Sequence, residues 1–248
     1  MDRVLGENHP DTISTRGNLA LSYSHQGRYE EAEVLEERVM RESMRTLDGE
    51  HVQTLTYMAN LALMYYERAK YEDAKKLATE VLTKGANIFD ETHPTRLSWL
   101  NNLAVCLHEQ EEFDSGLELG RRVIEMRKEV LGDDHPETLI SMANQAMAYN
   151  NQGERKKAEE LMANVVSTSE LSLGENHPST LISCYNLALI HVGQGEWQVA
   201  QEIWASHLRN MMMALGEKHP ITVRCSSYLT LLNKMLNHNE NEMNLEAE

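Results

Sequence analysis

Histidine and cysteine are the residue types of this 248-residue chain whose side chains could bind a metal ion or support acid–base and thiol chemistry. Six of the 11 histidines recur every 42 residues, at His9, His51, His93, His135, His177 and His219. Metal ligands must converge to about 2 Å from one ion, whereas equivalent residues of stacked helical repeats lie roughly 10 Å apart. We therefore expect these six histidines to have a structural role at joints between repeats.

The remaining reactive side chains show no spacing typical of a catalytic or metal site. Four histidines outside the 42-residue column have no partner visible in the sequence: His25, His108, His191 and His207. The three cysteines lie far apart in apolar periodic segments, as reduced packing residues do: Cys106, Cys184 and Cys225. HxxxH, HExxH, CxxC, GxSxG and Gly-rich phosphate loops are all absent from the sequence. These features predict a protein that is not an enzyme and has no metal or cofactor.

Composition and charge exclude further classes of function. The formal net charge is −16, and nucleic-acid binding depends on Lys and Arg that neutralise phosphates. The sequence has no run of 18 apolar residues and no basic segment followed by an apolar core near residue 1. We expect a cytoplasmic protein that binds neither nucleic acid nor membranes.

The 42-residue period is that of a tandem array of helix pairs. The phrase LGENHPDT at 5–12 returns as LGDDHPET at 131–138, LGENHPST at 173–180 and LGEKHPIT at 215–222. Between such phrases, apolar residues at 3–4 spacing predict a helix A over 54–66 and a helix B from Tyr71 to about Ile88. The Gly of the phrase suits the end of helix B, and the His-Pro pair suits the start of the next helix A. Asp48 and Asp90 replace this Gly in two units.

Other columns of the repeat carry a resemblance to a known family. Small residues recur where helices A and B cross, at Ala20, Ala62, Ala104, Ala146 and Ala188 and at Ala32, Ala74, Gly116, Ala158 and Ala200. With the Leu, Tyr and Gly columns around them, these resemble tetratricopeptide repeats (TPRs) lengthened to 42 residues. The pattern is similar to the repeats of kinesin light chains, nephrocystin-like proteins and the C-terminal sensor arrays of nucleotide-binding signalling NTPases. The resemblance implies an all-α fold, a right-handed α-solenoid of stacked antiparallel helix pairs.

We expect this array to form one continuous body. Its predicted parts are the end of a truncated preceding repeat (1–8), five units (about 9–50, 51–92, 93–134, 135–176 and 177–220), a capping helix (221–236) and an acidic disordered tail (237–248). Because the first unit is preceded by only the end of a helix B, either the chain is a piece of a longer protein, the interpretation that we favour, or something else covers that end.

An asparagine column marks the predicted partner-binding surface, because A helices line the concave groove of such arrays. It comprises Asn18, Asn60, Asn102, Asn144 and Asn186. Side-chain amides can bond the backbone of an extended peptide with little regard to its sequence. The alternative is that these amides bond a neighbouring helix. Further predicted groove residues are Asn101, Tyr66, His108 and Asn150.

The sequence therefore predicts a non-catalytic scaffold that binds a peptide or protein, as the recognition part of a longer signalling or adaptor protein. Acidic and basic residues balance within the predicted A helices, so we expect neutral polar or aromatic-anchored partners. The resemblance to kinesin light chains implies a second possibility, a motor-cargo adaptor with basic groove residues, which are nearly absent here. Two further alternatives are end-to-end self-association through the truncated N-terminal end, and an enzyme that uses the groove as a substrate cleft.

Overall fold

A computed structural model describes residues 6–7, 9–108 and 113–246, with side chains as far as residue 235. Within these residues all regular secondary structure is helical. The helices are α1 (Pro10–His25), α2 (Tyr29–Thr46), α3 (Val52–Glu67), α4 (Tyr71–Gly85), α5 (Pro94–His108), α6 (Phe113–Leu131), α7 (Pro136–Asn151), α8 (Arg155–Ser172), α9 (Pro178–Gln194), α10 (Trp197–Ala214) and α11 (Pro220–Glu246). The structure confirms the predicted all-α fold, in which odd-numbered helices are A helices and even-numbered helices are B helices.

The contacts between helices divide the chain into two compact units, Met1–Leu131 and Gly132–Glu248. In the first unit each helix from α1 to α6 packs on the next, and α3 also contacts α1 and α5. In the second unit the same holds from α7 to α11, and α9 contacts α7 and α11. Each unit is thus a stack of antiparallel helix pairs.

Small residues occupy the A–B crossings, as predicted. Ala32, Ala74, Ala158 and Ala200 are fully buried. Gly116 takes this position in the third pair because the ring of His108 fills the space, and an added Cβ would lie 2.5 Å from its Cδ2 atom. Trp99 of α5 similarly requires Gly85 at the end of α4, where an added Cβ would clash with the indole.

The repeated histidines cap the A helices. In each of the six, Nδ1 accepts a hydrogen bond from the backbone N–H two residues later, at 3.2–3.3 Å. This bond satisfies one of the N–H groups that a helix start leaves without an intrahelical partner. At the preceding helix end, Gly132 has φ 100° and Asp48 has φ 95°, the left-handed conformation predicted for this position. The structural interpretation of the histidine column is confirmed.

Some predicted boundaries differ from the structure. Helix α4 ends at Gly85, before the predicted Ile88. Helix α11 continues to Glu246, beyond the predicted end at 236 and into the segment expected to be disordered. Residues 237–246 contain neither Gly nor Pro, and their Glu, Met and Leu residues favour a helix, so the sequence offers no stop signal there. Residues 1–5 and 8 of the predicted truncated repeat, and 247–248 of the tail, lie outside the described residues.

Candidate partner-binding surface

A groove of about 420 Å³ lies between the first two A helices of the first unit. Its lining includes Ser14, Asn18 and Leu21 from α1 and Val52, Thr56 and Asn60 from α3. Asp, Glu, Lys and Arg are absent from the residues that line it. In a chain with a net charge of −16, this groove is an uncharged surface made entirely by A helices and the cap residue His51.

Tyr57 and Gly17 determine how closely the two A helices approach in this groove. The Tyr57 ring packs against Gly17, where an added Cβ would lie 2.7 Å from ring atom Cε1. The side-chain amide of Gln53 donates to the Ser14 hydroxyl at 2.6 Å and to the Tyr57 hydroxyl at 3.0 Å. These bonds join α1 to α3 and fix the polar groups at the base of the groove. None of these four residues is predicted from the sequence, although a glycine inside a helix is a signal of close approach.

Asn60 lies between the groove and helix α2. It lines the groove, and its amide also lies against the carboxyl group of Glu36 on α2. Glu36 is 1% exposed, and neither of its oxygens has a well-directed hydrogen bond. Burial raises the pKa of Glu36 to about 8, and the Asn60 amide offsets part of that rise. Asn60 therefore lies at the groove and against a neighbouring helix at the same time, and its contact with a ligand stays a prediction.

The other members of the asparagine column lie in different settings. Asn18 is exposed on α1 and shares the groove with Asn60. Asn102 is half-buried on α5 of the same unit. Asn144 on α7 and Asn186 on α9 are half-buried in the second unit. Asn18 and Asn60 are thus the pair of predicted site residues that the structure brings together.

Two predicted groove residues are buried, and this corrects their expected exposure. Asn101 is 8% exposed on α5. His108 is 5% exposed, packs on Gly116 of α6, and has a pKa lowered mainly by burial. Both residues lie on the side of α5 that packs on its neighbours, and periodicity alone did not distinguish that side from the groove.

Tyr66 and Asn150, the remaining predicted site residues, lie near the ends of A helices. Tyr66 is half-buried near the end of α3, where its ring centroid lies 5.6 Å from that of Tyr71. Asn150 is half-buried near the end of α7, and its Oδ1 atom would lie 3.4 Å from a Cβ added at Gly193 of α9. These contacts place both residues at helix-to-helix junctions.

The three cysteines are reduced and buried, as predicted from the sequence. All three are free and buried, and burial raises the pKa of Cys106 and Cys184 to about 12 and that of Cys225 to about 11. His191, which had no partner visible in the sequence, lies with Nδ1 2.6 Å from Glu196 Oε2. In the part of the chain that the structure describes, no helix is both long and apolar enough to cross a membrane.

Comparison with known proteins identifies the repeat. A tetratricopeptide repeat profile matches residues 1–41, 95–163 and 143–212, and a second one matches residues 54–95. The crystal structure of Podosopora anserina putative kinesin light chain nearly identical TPR-like repeats is 29% identical to the chain, with a TM-score of 0.59. That match covers 83% of this chain and 97% of the other. A comparison with curated protein sequences gives no match.

Two more distant structures share the fold. BtubC (BKLC) from P. vanneervenii is 14% identical, with a TM-score of 0.60 over 82% of this chain and 81% of that one. A Rap protein complexed with Competence and Sporulation Factor is 12% identical, with a TM-score of 0.69 over 99% of this chain and 77% of that one. The repeat is in general a non-catalytic module for protein interaction. The chain belongs to the tetratricopeptide repeat family, in its kinesin light chain-like class.

Proposed function

We propose that this chain is a non-catalytic recognition scaffold that binds an extended, uncharged polypeptide segment of a partner protein between α1 and α3. The observation that carries this proposal is the uncharged groove, with two side-chain amides at its edge, in a protein of strongly negative net charge. The Rap protein, solved with Competence and Sporulation Factor, supports the capacity of this fold to hold a partner.

The chemistry of the groove indicates the class of ligand. Asn18 and Asn60 each offer two N–H donors and one carbonyl acceptor, a set that matches the alternating groups of a peptide backbone. Leu21 and Val52 supply an apolar surface for one side chain of the ligand. The groove residues offer no cation for an acidic motif, so an acidic cargo peptide fits it poorly. This argues against the motor-cargo alternative implied by the resemblance to kinesin light chains.

Selection from a displayed library of random peptides tests the proposal. We expect enrichment of uncharged polar sequences, and synthetic copies should bind an Asn18→Leu variant at least about tenfold more weakly, because hydrogen bonds of about 1 kcal/mol each are lost. The matched control is Asn164→Leu, which changes an exposed asparagine on the B helix α8. Enrichment of acidic peptides, or equal weakening by both variants, would contradict the proposal.

Self-association is a second candidate function, supported by two exposed apolar surfaces. In the first unit, Leu19 of α1 is 42% exposed and Val34 of α2 is 69% exposed. In the second unit, Val223, Leu231 and Met235 of α11 are each between 44% and 53% exposed. A second copy that placed its α11 on the α1–α2 surface would cover both in a head-to-tail contact.

Sedimentation equilibrium over a wide concentration range tests this candidate. The mass should rise with concentration, and Val34→Glu should abolish the rise. Leu171→Glu, which adds the same charge at a residue that is 90% exposed on α8, should leave the rise unchanged. A monomer at every concentration would exclude self-association.

We also propose that the chain serves as the recognition part of a cytoplasmic signalling or adaptor protein. Its similarity to putative kinesin light chain repeats and its three buried, free cysteines support this setting. Fractionation of the native cells, with detection of the chain by antibody, should locate it in the cytosol. Recovery in the secreted fraction would overturn this assignment.

A further inference from the structure

Three side chains that could bind a metal converge in the second unit. They are Glu170 on α8, Cys184 on α9 and His207 on α10. One ligand atom from each, a carboxylate oxygen, the sulfur and a ring nitrogen, lies within 4.8 Å of the other two. Cys184 is buried, and the other two residues are half-buried. Because they come from three different helices, no local sequence motif reveals them.

The repeat columns show that the fold does not require these residue types here. The position of His207 is occupied in the four preceding repeats by valines, all fully buried: Val39, Val81, Val123 and Val165. The position of Cys184 holds a large apolar residue in three of the four preceding repeats, namely Met58, Leu100 and Met142. Two positions that are apolar in most repeats therefore hold metal-binding residues here, Cys184 and His207. Both lie beside the carboxylate of Glu170.

The hydrogen bonds of His207 suit a metal ligand. Its Nδ1 atom lies 2.8 Å from the backbone carbonyl of Ile203 and 2.9 Å from the Ser206 hydroxyl, which itself donates to the same carbonyl. An N–H at Nδ1 that donates to this carbonyl leaves Nε2 unprotonated, with its lone pair available. Histidine ligands commonly have their other ring nitrogen held in this way by a backbone carbonyl, which fixes the tautomer and the ring orientation.

We propose that Glu170, Cys184 and His207 form a binding site for one Zn²⁺ ion. One thiolate, one imidazole and one carboxylate are a ligand set typical of zinc. Tetrahedral zinc with bonds of about 2.0–2.3 Å would hold the three atoms roughly 3.5 Å apart, so small side-chain movements close the site. The Cys184 thiol transfers its proton to solvent as the Zn–S bond forms. A water molecule completes the coordination.

Such an ion would tie together three helices at the joint between the fourth and fifth repeats. Helices α9 and α10 form one antiparallel pair, and α8 belongs to the preceding one. Binding of an ion by the folded state alone raises stability in proportion to the logarithm of its concentration. The expected consequence is a zinc-dependent stiffening of the second unit, independent of whether the groove in the first unit binds a partner.

Metal titration of the full chain tests the site, with Zn²⁺ for stoichiometry and Co²⁺ as a spectroscopic substitute. We expect one ion per chain, thiolate-to-cobalt charge-transfer absorption, and a melting temperature that rises with added zinc. His207→Val restores the residue found in the other repeats and should remain folded, yet it should weaken zinc binding at least about tenfold and abolish the zinc-dependent rise.

Matched controls separate this site from other cysteines and histidines. Cys184→Met, which restores the residue type of Met58 and Met142, should abolish the charge-transfer band. Cys106→Ala and His25→Asn should retain both the band and the stoichiometry. No zinc binding by the reduced wild-type chain, or equal binding by wild type and His207→Val, would overturn the proposal.

Discussion

Glu36 and Trp204 occupy the same position of the repeat, yet they create opposite environments. Each lies in a B helix, four repeats apart, and each is fully buried. Trp204 packs against aromatic rings in the second unit. The ring of Tyr228 is stacked on it at a centroid distance of 5.3 Å, and the ring of Tyr185 lies at 5.9 Å. Around Glu36 the first unit places the polar amide of Asn60.

Buried ionisable side chains in the first unit are not confined to Glu36. Arg16 donates to Glu42 at 2.5 Å between α1 and α2, and Glu33 of α2 contacts Arg68 and Lys70 at the end of α3. The repeat therefore fixes the backbone position, whereas the neighbouring side chains determine whether that position holds a carboxyl group or an indole. We therefore expect the second unit to depend on apolar packing and the first to respond to pH.

Trp204→Ala should have the largest effect on stability. Removal of a fully buried indole leaves a cavity, and such changes cost about 3–5 kcal/mol. Urea unfolding followed by hydrogen exchange in the second unit measures the loss. The matched control Trp197→Ala, at a residue that is 40% exposed, should cost much less. Equal losses of stability in the two variants would contradict the expected dependence of the second unit on apolar packing.

Glu36→Gln should remove a pH-dependent part of the stability of the first unit. The pKa of Glu36 is raised to about 8 in the folded chain, above its ordinary value of 4.5, so the folded state holds a proton that the unfolded state has released. This contribution is complete below about pH 4.5 and is lost as the pH rises through about 8.

The expected size follows from about 1.4 kcal/mol per pH unit. Between pH 5.5 and 7.5, wild type should lose about 2.5 kcal/mol more than Glu36→Gln in urea unfolding experiments. Glu160→Gln, which removes an exposed carboxyl from α8, should lose as much as wild type. Identical pH profiles for wild type and Glu36→Gln would show that the buried carboxyl has no such role.

His135→Ala tests a feature that both units share. The Nδ1 atom of His135 caps α7 by accepting the N–H of Glu137 at 3.2 Å, and loss of a helix cap costs about 1 kcal/mol. Denaturant midpoints measure the change. His135→Asp supplies another acceptor and should recover most of the loss, whereas equal destabilisation by Ala and Asp would indicate that ring packing, and not capping, is the contribution.

Ala69→Gly should have the smallest effect, a gain of about 0.5 kcal/mol. Ala69 has φ 56° at the turn between α3 and α4, where Gly153 in the second unit has φ 87°. The left-handed strain of alanine exceeds the entropy that glycine loses on folding. A matched Gly153→Ala variant should lose a similar amount. Destabilisation by Ala69→Gly would show that the strain is absent.

The sequence predicted the features that backbone geometry dictates. Hydrogen-bonding requirements that are local to a few residues determine the helix type, the helix ends at Gly or Asp48 and the histidine caps. A single repeat therefore contains this information. The side of α5 that is buried could not be distinguished from the side that faces the groove, because this depends on which face of the helix packs on neighbouring helices. Asn101 and His108 were misplaced for this reason.

Contacts between residues of different repeats were also beyond the sequence analysis. The convergence of Glu170, Cys184 and His207 required three helices in space. Some of these contacts can be recognised in the sequence by a glycine inside a helix. Such a glycine faces an aromatic ring in three cases: Gly17 with Tyr57, Gly85 with Trp99, and Gly116 with His108. A glycine inside a helix is thus a usable signal of close packing, although Gly193 of α9 faces Asn150 and Arg155 and not a ring.

The most direct test of the proposed recognition surface is site-specific photo-crosslinking in native cytosol. A benzophenone amino acid would replace Thr56, which lines the groove, and, in a separate variant, Asn164 on α8. We expect one or a few partner proteins attached at position 56 through an uncharged segment and none at position 164. Partners attached only at position 164 would show that the A-helix groove is not the recognition surface.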